Sequence, residues 1–139
     1  MIKIRNQWNE LKKYPFALRV RQLYSEYEDM AGVYCMKIDE QIIYIGSSRD
    51  LCNRLTRHAH NINRVLKGEI EENVRQKHWK YFEMAKACKE KRLVEFEIME
   101  IVDSNISDVD LETIEYTLIN QYKPQGNVRM KQPVRRSCR

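Results

Sequence analysis

Gly32-Val33-Tyr34-Cys35-Met36-Lys37-Ile38-Asp39-Glu40-Gln41-Ile42-Ile43-Tyr44-Ile45-Gly46 is the stretch from which the rest of the chain is read. Its two runs, GVYCMKI (32–38) and QIIYIG (41–46), are rich in β-branched and aromatic residues and flank a short polar turn, so they predict a β-hairpin. The turn around Asp39-Glu40-Gln41 lacks the Asn-Gly or Asp-Gly signal of a tight two-residue loop. Register decides what the tyrosines can do together. A three-residue loop of 38–40 would set Tyr34 opposite Tyr44 on one face, whereas a two-residue loop of 39–40 would send them to opposite faces. Either tyrosine alone reads first as strand packing. A phenol titrates near ~10, so a basic role needs a cation or metal beside it.

Downstream, Ser47 with Asp50 has the form of a capping box, and Leu51, Leu55, Ile62, Val65 and Leu66 follow at helical spacing until Gly68. Arg54 and His58, four apart, share one face of that helix. An arginine can grip a phosphate with two bonds and a histidine can move a proton, although a solvated polar face is the plain alternative. Arg57 and His60 read as surface residues or phosphate contacts. Ile70, Val74, His78, Phe82 and Ala85 predict a second helix, residues 92–102 alternate as a strand, and Ser107 with Asp110 starts a last helix running to Pro124. Within it Glu115 lies on the stripe of Leu111, Leu118, Ile119 and Tyr122, where a carboxylate needs a metal or a salt-bridge partner. Asp108, Asp110 and Glu112 fit favourable charge at a helix start. Asn127 follows a turn-forming segment and, on its own, reads as a residue bonding its own backbone. Residues 6–29, with Trp8, Leu11, Phe16 and Tyr24 among charges, predict one or two short helices broken at Pro15. The class is α+β: a small, mostly antiparallel sheet of the hairpin and one later strand, flanked by helices, behind a helical N-terminal extension.

The 139 residues suit one domain, and no apolar run is long enough for a bilayer. Without an export signal in MIKIRNQWNELKK, a cytoplasmic protein is expected, with Cys35, Cys52, Cys88 and Cys138 as reduced thiols; their scatter does not suit zinc. Residues 1–22 carry +5 and residues 123–139 carry +6, while the middle carries −6, leaving a net +5. Basic ends on a mildly acidic body suit a polyanionic partner, or merely aid solubility.

Gly32-Val33-Tyr34, a nine-residue spacer and Tyr44-Ile45-Gly46 resemble the paired tyrosine motifs of the GIY-YIG nuclease family, with Val in place of the first central Ile. Gly46-Ser47-Ser48-Arg49-Asp50-Leu51 leading to Arg54 and His58, then Glu115-Tyr116-Thr117-Leu118-Ile119, then Asn127, repeat that family's order over roughly residues 30–128. The resemblance implies a nuclease domain at 30–128, with a basic extension at 1–29 and a basic tail at 129–139. It implies DNA phosphodiester hydrolysis with Mg²⁺ (or Mn²⁺) held by Glu115, Arg54 on the scissile phosphate, Tyr34 as general base and Tyr44 orienting water or phosphate. His58 would assist proton transfer or be the base itself, and Asn127 would position Glu115 or the site's backbone. Between Gly68 and Leu93 no counterpart of the further polar residues used by some members is visible. One such site cuts one strand, so the chain is expected to act as a monomer or as a homodimer on DNA. The rival readings are a non-catalytic nucleic-acid-binding module on the same scaffold and a protein adaptor using the Trp8/Phe16/Tyr24 segment.

Overall fold

The computed structural model describes residues 2–6, 16–70 and 78–130. Elements run β1 (Ile2–Asn6), α1 (Phe16–Leu23), a 3₁₀ turn (Ser25–Tyr27), β2 (Ala31–Ile38), β3 (Gln41–Ser48), α2 (Leu51–Leu66), α3 (Trp79–Lys89), β4 (Val94–Val102), α4 (Asp108–Tyr122) and α5 (Gln125–Met130). The α+β class is borne out: β2, β3 and β4 form an antiparallel sheet flanked by helices. The extension departs from its all-helical expectation, because Ile2–Asn6 adds a strand antiparallel to β4, giving the order β1-β4-β2-β3. Alternating Ile2, Ile4 and their polar neighbours supply the period of a strand, a signal too short to register from sequence. Trp8, Leu11 and Pro15 lie outside the described residues, as do Val74 and the tail from 131; the second helix is described from Trp79.

The hairpin uses the two-residue loop of 39–40, yet its tyrosines still share a face. Ile38 pairs with Gln41, so the turn has two residues, Asp39 and Glu40, at φ 50° and 69°. Such left-handed conformations cost about 1–2 kcal/mol per non-glycine residue. Contacts from outside the hairpin offset that cost: Asp39 N–H donates to the Leu93 carbonyl at 2.8 Å, and its carboxylate accepts from Leu93 N–H and Arg92 Nε at 3.1 and 2.7 Å. That turn alone would put the tyrosines on opposite faces. A β-bulge intervenes: Lys37 pairs with Ile42 but Met36 pairs with Tyr44, leaving Ile43 extra. Tyr34 therefore faces Gly46 rather than Tyr44, and the two phenols share a face because of the bulge and not because of an odd loop.

The sheet separates two apolar layers. On one side Tyr34, Met36, Phe96 and Ile98 pack with Leu51, Leu55 and Ile62 of α2 and Met84 of α3, with Tyr24 donating to the Phe96 carbonyl at 2.8 Å. On the other, Val33, Cys35, Ile45 and Met99 meet Leu111, Ile114, Leu118 and Ile119 of α4. Tyr122, expected on that stripe, is exposed instead. Among the described residues Cys35, Cys52 and Cys88 are buried and free; Cys138 lies outside them.

Candidate active site

The end of β3 and the start of α2 place the first cluster. The capping box is resolved differently from its sequence form: Asp50 itself is the N-cap, accepting from Asn53 N–H at 3.0 Å, and Ser48 closes the turn onto Asp50. Ser47 is released for another partner. At the far end, Gly68 (φ 75°) and Glu69 donate to the Val65 and Arg64 carbonyls, the expected glycine stop. α2 is thus held at both ends, and Arg54 and His58 on its first turns are aimed at the hairpin.

Tyr34, Tyr44 and His58 form a tight aromatic group: ring centroids lie 6.5 Å apart for Tyr34–Tyr44, 5.3 Å for Tyr34–His58 and 6.0 Å for Tyr44–His58. The Tyr34 hydroxyl and His58 Nε2 are 2.5 Å apart. Arg54, half-buried, lies near both phenols, and its charge favours their ionised forms. Gly46 is what allows the close approach, since a Cβ there would sit 2.5 Å from the Tyr34 hydroxyl oxygen. Burial, then Tyr44, pushes the Tyr34 phenol well above its usual range against the pull of Arg54. Tyr44 is pushed up to about 12, by burial first and by the charge of Glu115 second. His58 is fully buried and held well below the usual imidazole range, by burial and by the cations of Arg54, Lys80 and Arg57. In the free protein this is a dry, neutral phenol–imidazole pair beside a fixed guanidinium.

Glu115 arrives from the other side of the sheet, around the edge strand β3. Its half-buried carboxylate accepts from the released Ser47 hydroxyl. Arg49 fixes the relation of the two segments, donating to Asp108 Oδ1 at 2.6 Å and to the Ile106 carbonyl at 2.7 Å, which ties the β3–α2 turn to the head of α4. Asn127 lies inside the short helix α5, not in a turn. It uses both ends of its amide on one strand residue, donating to the Ile45 carbonyl and accepting from the Ile45 N–H, each at 2.8 Å. It holds the backbone between Tyr44 and Gly46 rather than Glu115. Arg57 and His60 are exposed.

Sequence reasoning missed Ser47, Lys80 and Tyr81. α3 carries Lys80 over the Tyr44 and Tyr81 rings, 4.7 and 4.6 Å from their centroids, and burial with Arg54 lowers its ammonium to about 8. The Tyr81 hydroxyl is 2.8 Å from His58 Nδ1. Neither residue carries a periodic signal, and a lysine among 25 Lys/Arg stands out only once α3 folds against α2.

The GIY-YIG catalytic domain family matches residues 30–129. The chain belongs to this family. Among solved structures, the GIY-YIG N-terminal endonuclease domain of UvrC from Thermotoga maritima bound to magnesium is 23% identical, covering 78% of this chain and 96% of that one, with a TM-score of 0.41. A mutant of bacteriophage T4 EndoII is 20% identical over 76% of this chain and 96% of its own, with a TM-score of 0.46. No curated protein matches the chain. The two-tyrosine hairpin, α2 and α4 are accordingly the parts of a GIY-YIG nuclease domain.

Proposed function

We propose that the protein is a metal-dependent endonuclease that hydrolyses DNA phosphodiester bonds. The observation that carries this reading is the convergence of Tyr34, Tyr44, Arg54 and His58 on one sheet face, with the Glu115 carboxylate brought round the edge strand toward Tyr44. Basic ends of +5 and +6 supply the attraction for a polyanion.

Among the described residues no cluster of three or more His, Cys, Asp or Glu could cage an ion. A half-buried carboxylate with a serine hydroxyl beside it fits a hydrated Mg²⁺ (or Mn²⁺), which keeps most of its waters and takes few protein ligands. When bound there, the ion would offset charge on the phosphate and acidify a water. Arg54 presents a planar, half-buried donor fork beside the two phenols, suited to grip the scissile phosphate with two bonds. Lys80 adds a second cation on the Tyr44 side. Tyr34 takes the proton of the attacking water while its own proton passes to His58 Nε2. In the free protein both shifts oppose that transfer; a bound phosphate, by favouring imidazolium, brings the pair toward reaction. Tyr44 orients water or phosphate, and Asn127 keeps its strand in place.

Incubating the full chain with supercoiled plasmid, with Mg²⁺ or with chelator, tests the reading. Nicked circles are expected with Mg²⁺ alone. Salt-dependent DNA binding without any nicking would overturn it in favour of a non-cleaving module.

A further inference from the structure

His58 has a hydroxyl at each ring nitrogen: Tyr34 at Nε2, 2.5 Å away, and Tyr81 at Nδ1, 2.8 Å away. A neutral imidazole has one N–H, so one tyrosine donates to the ring and the other accepts from it. Two directions are open to the chain of hydrogen bonds. If Nε2 carries the proton, it donates to Tyr34; if Nδ1 carries it, Nε2 is free to accept from Tyr34.

Arg54 decides between them. Its positive charge beside Tyr34 turns that oxygen's lone pairs toward the guanidinium and the O–H away from it. The Tyr34 proton then points to an acceptor, and Nε2 at 2.5 Å is in place for it. His58 Nδ1–H then donates onward to the Tyr81 hydroxyl. His78 stacks on the Tyr81 ring at 5.8 Å and Lys80 lies over it, so the phenol is fixed in place.

We propose that Tyr81 is a positioning residue that holds His58 as the Nδ1–H tautomer, keeping Nε2 as the acceptor for the Tyr34 proton. The functional part rests on the reading of Tyr34 as the base; the tautomer itself does not. The balance is simple. The Tyr34 O–H proton moves to Nε2, giving an imidazolium still donating through Nδ1 to Tyr81. Tyr34 takes a proton from the attacking water, whose hydroxide forms the new P–O bond as the bond to the leaving oxygen breaks. The leaving oxygen is protonated from solvent, and His58 loses its extra proton to solvent before the next turnover. With the other tautomer, Nε2 already bears a proton and this path is shut.

The test reads the tautomer directly, in the metal-free full chain, by two-bond ¹H–¹⁵N correlation of the His58 ring near neutral pH. Nδ1–H is expected in the wild type. Tyr81→Phe keeps the ring but removes the acceptor, so free imidazole's preference for Nε2–H returns and the Nδ1–H population falls. With it, kcat on plasmid should fall about ten-fold, the scale of one lost neutral hydrogen bond, while KM and DNA affinity hold. In a His58→Gln background the same substitution should cost nothing further, because no tautomer remains to select. A wild-type ring protonated at Nε2, a Tyr81→Phe ring still protonated at Nδ1, or a shifted tautomer with unchanged kcat would each overturn the proposal. Should Tyr81→Phe fail to fold, the wild-type spectrum alone still decides the tautomer. Full activity of Tyr34→Phe would instead defeat the catalytic reading while leaving the tautomer result intact.

Discussion

The two faces of the sheet handle charge in opposite ways. On the α1–α3 face, Tyr34 is 1% exposed and His58 0%, and burial drives both toward their neutral forms. On the α4 face, Glu115 stays half-exposed beside a serine at the strand edge. A proton acceptor that must change state during a reaction gains from being kept dry until substrate arrives. A carboxylate meant for a cation has to remain ionised, which deep burial would oppose. As the edge strand, β3 has one of these environments on each of its faces.

The sharpest break between the faces should come from Glu115→Gln. Glutamine can still accept the Ser47 hydroxyl, so stability should change by less than about 1 kcal/mol, while nicking falls by about 10³ or more. DNA affinity should persist. Full activity in Mg²⁺ would remove the α4 face from the chemistry.

Arg54→Ala comes next, with an expected loss of about 10²–10³ in kcat. Lysine should rescue little, since a point charge does not replace the planar fork. A lysine variant cleaving like wild type would reduce Arg54 to a general positive charge. Within the tyrosine pair the contrast is finer. Tyr34→Phe should abolish measurable turnover, whereas Tyr44→Phe, losing only an orienting hydroxyl, should cost about ten-fold. Equal effects in single-turnover assays would show the two phenols sharing one role.

These residues also mark what a sequence can carry. Arg54 and His58 were legible because a helical spacing of four forces a shared face, and Glu115 because a carboxylate on an apolar stripe is costly. The shared face of the tyrosines was legible only as a condition. A bulge at Ile43 and an Asp39-Glu40 turn supported from Leu93 and Arg92 supply it, and neither leaves a local signal because the support comes from over fifty residues away. Ser47 looked like a cap because Ser-x-x-Asp is the cap's own pattern; Asp50 took that role instead. Lys80 and Tyr81 depend wholly on how α3 docks on α2, which no spacing encodes.

The smallest effect is a test of how dry the first face is. His58 in the unfolded chain titrates near 6.5, and in the fold lower, so its contribution to stability is complete above that pH. As pH falls below 6.5 the unfolded chain binds a proton that the folded ring refuses, and stability drops by up to about 1.4 kcal/mol per pH unit until the folded value is reached. Lys80, lowered to about 8, acts in another window: its penalty builds between about 10.4 and 8 and is constant below. The interval from pH 5 to 6.5 therefore separates His58 from Lys80. Carboxylates titrate there too, so the informative quantity is the difference in thermal midpoint between wild type and His58→Gln. The wild type should lose ground on the variant by about 3–4 °C for the first unit below 6.5. A difference that stays flat across that interval would mean the ring takes up its proton as readily in the fold as in the open chain, and the face around Tyr34 is wet.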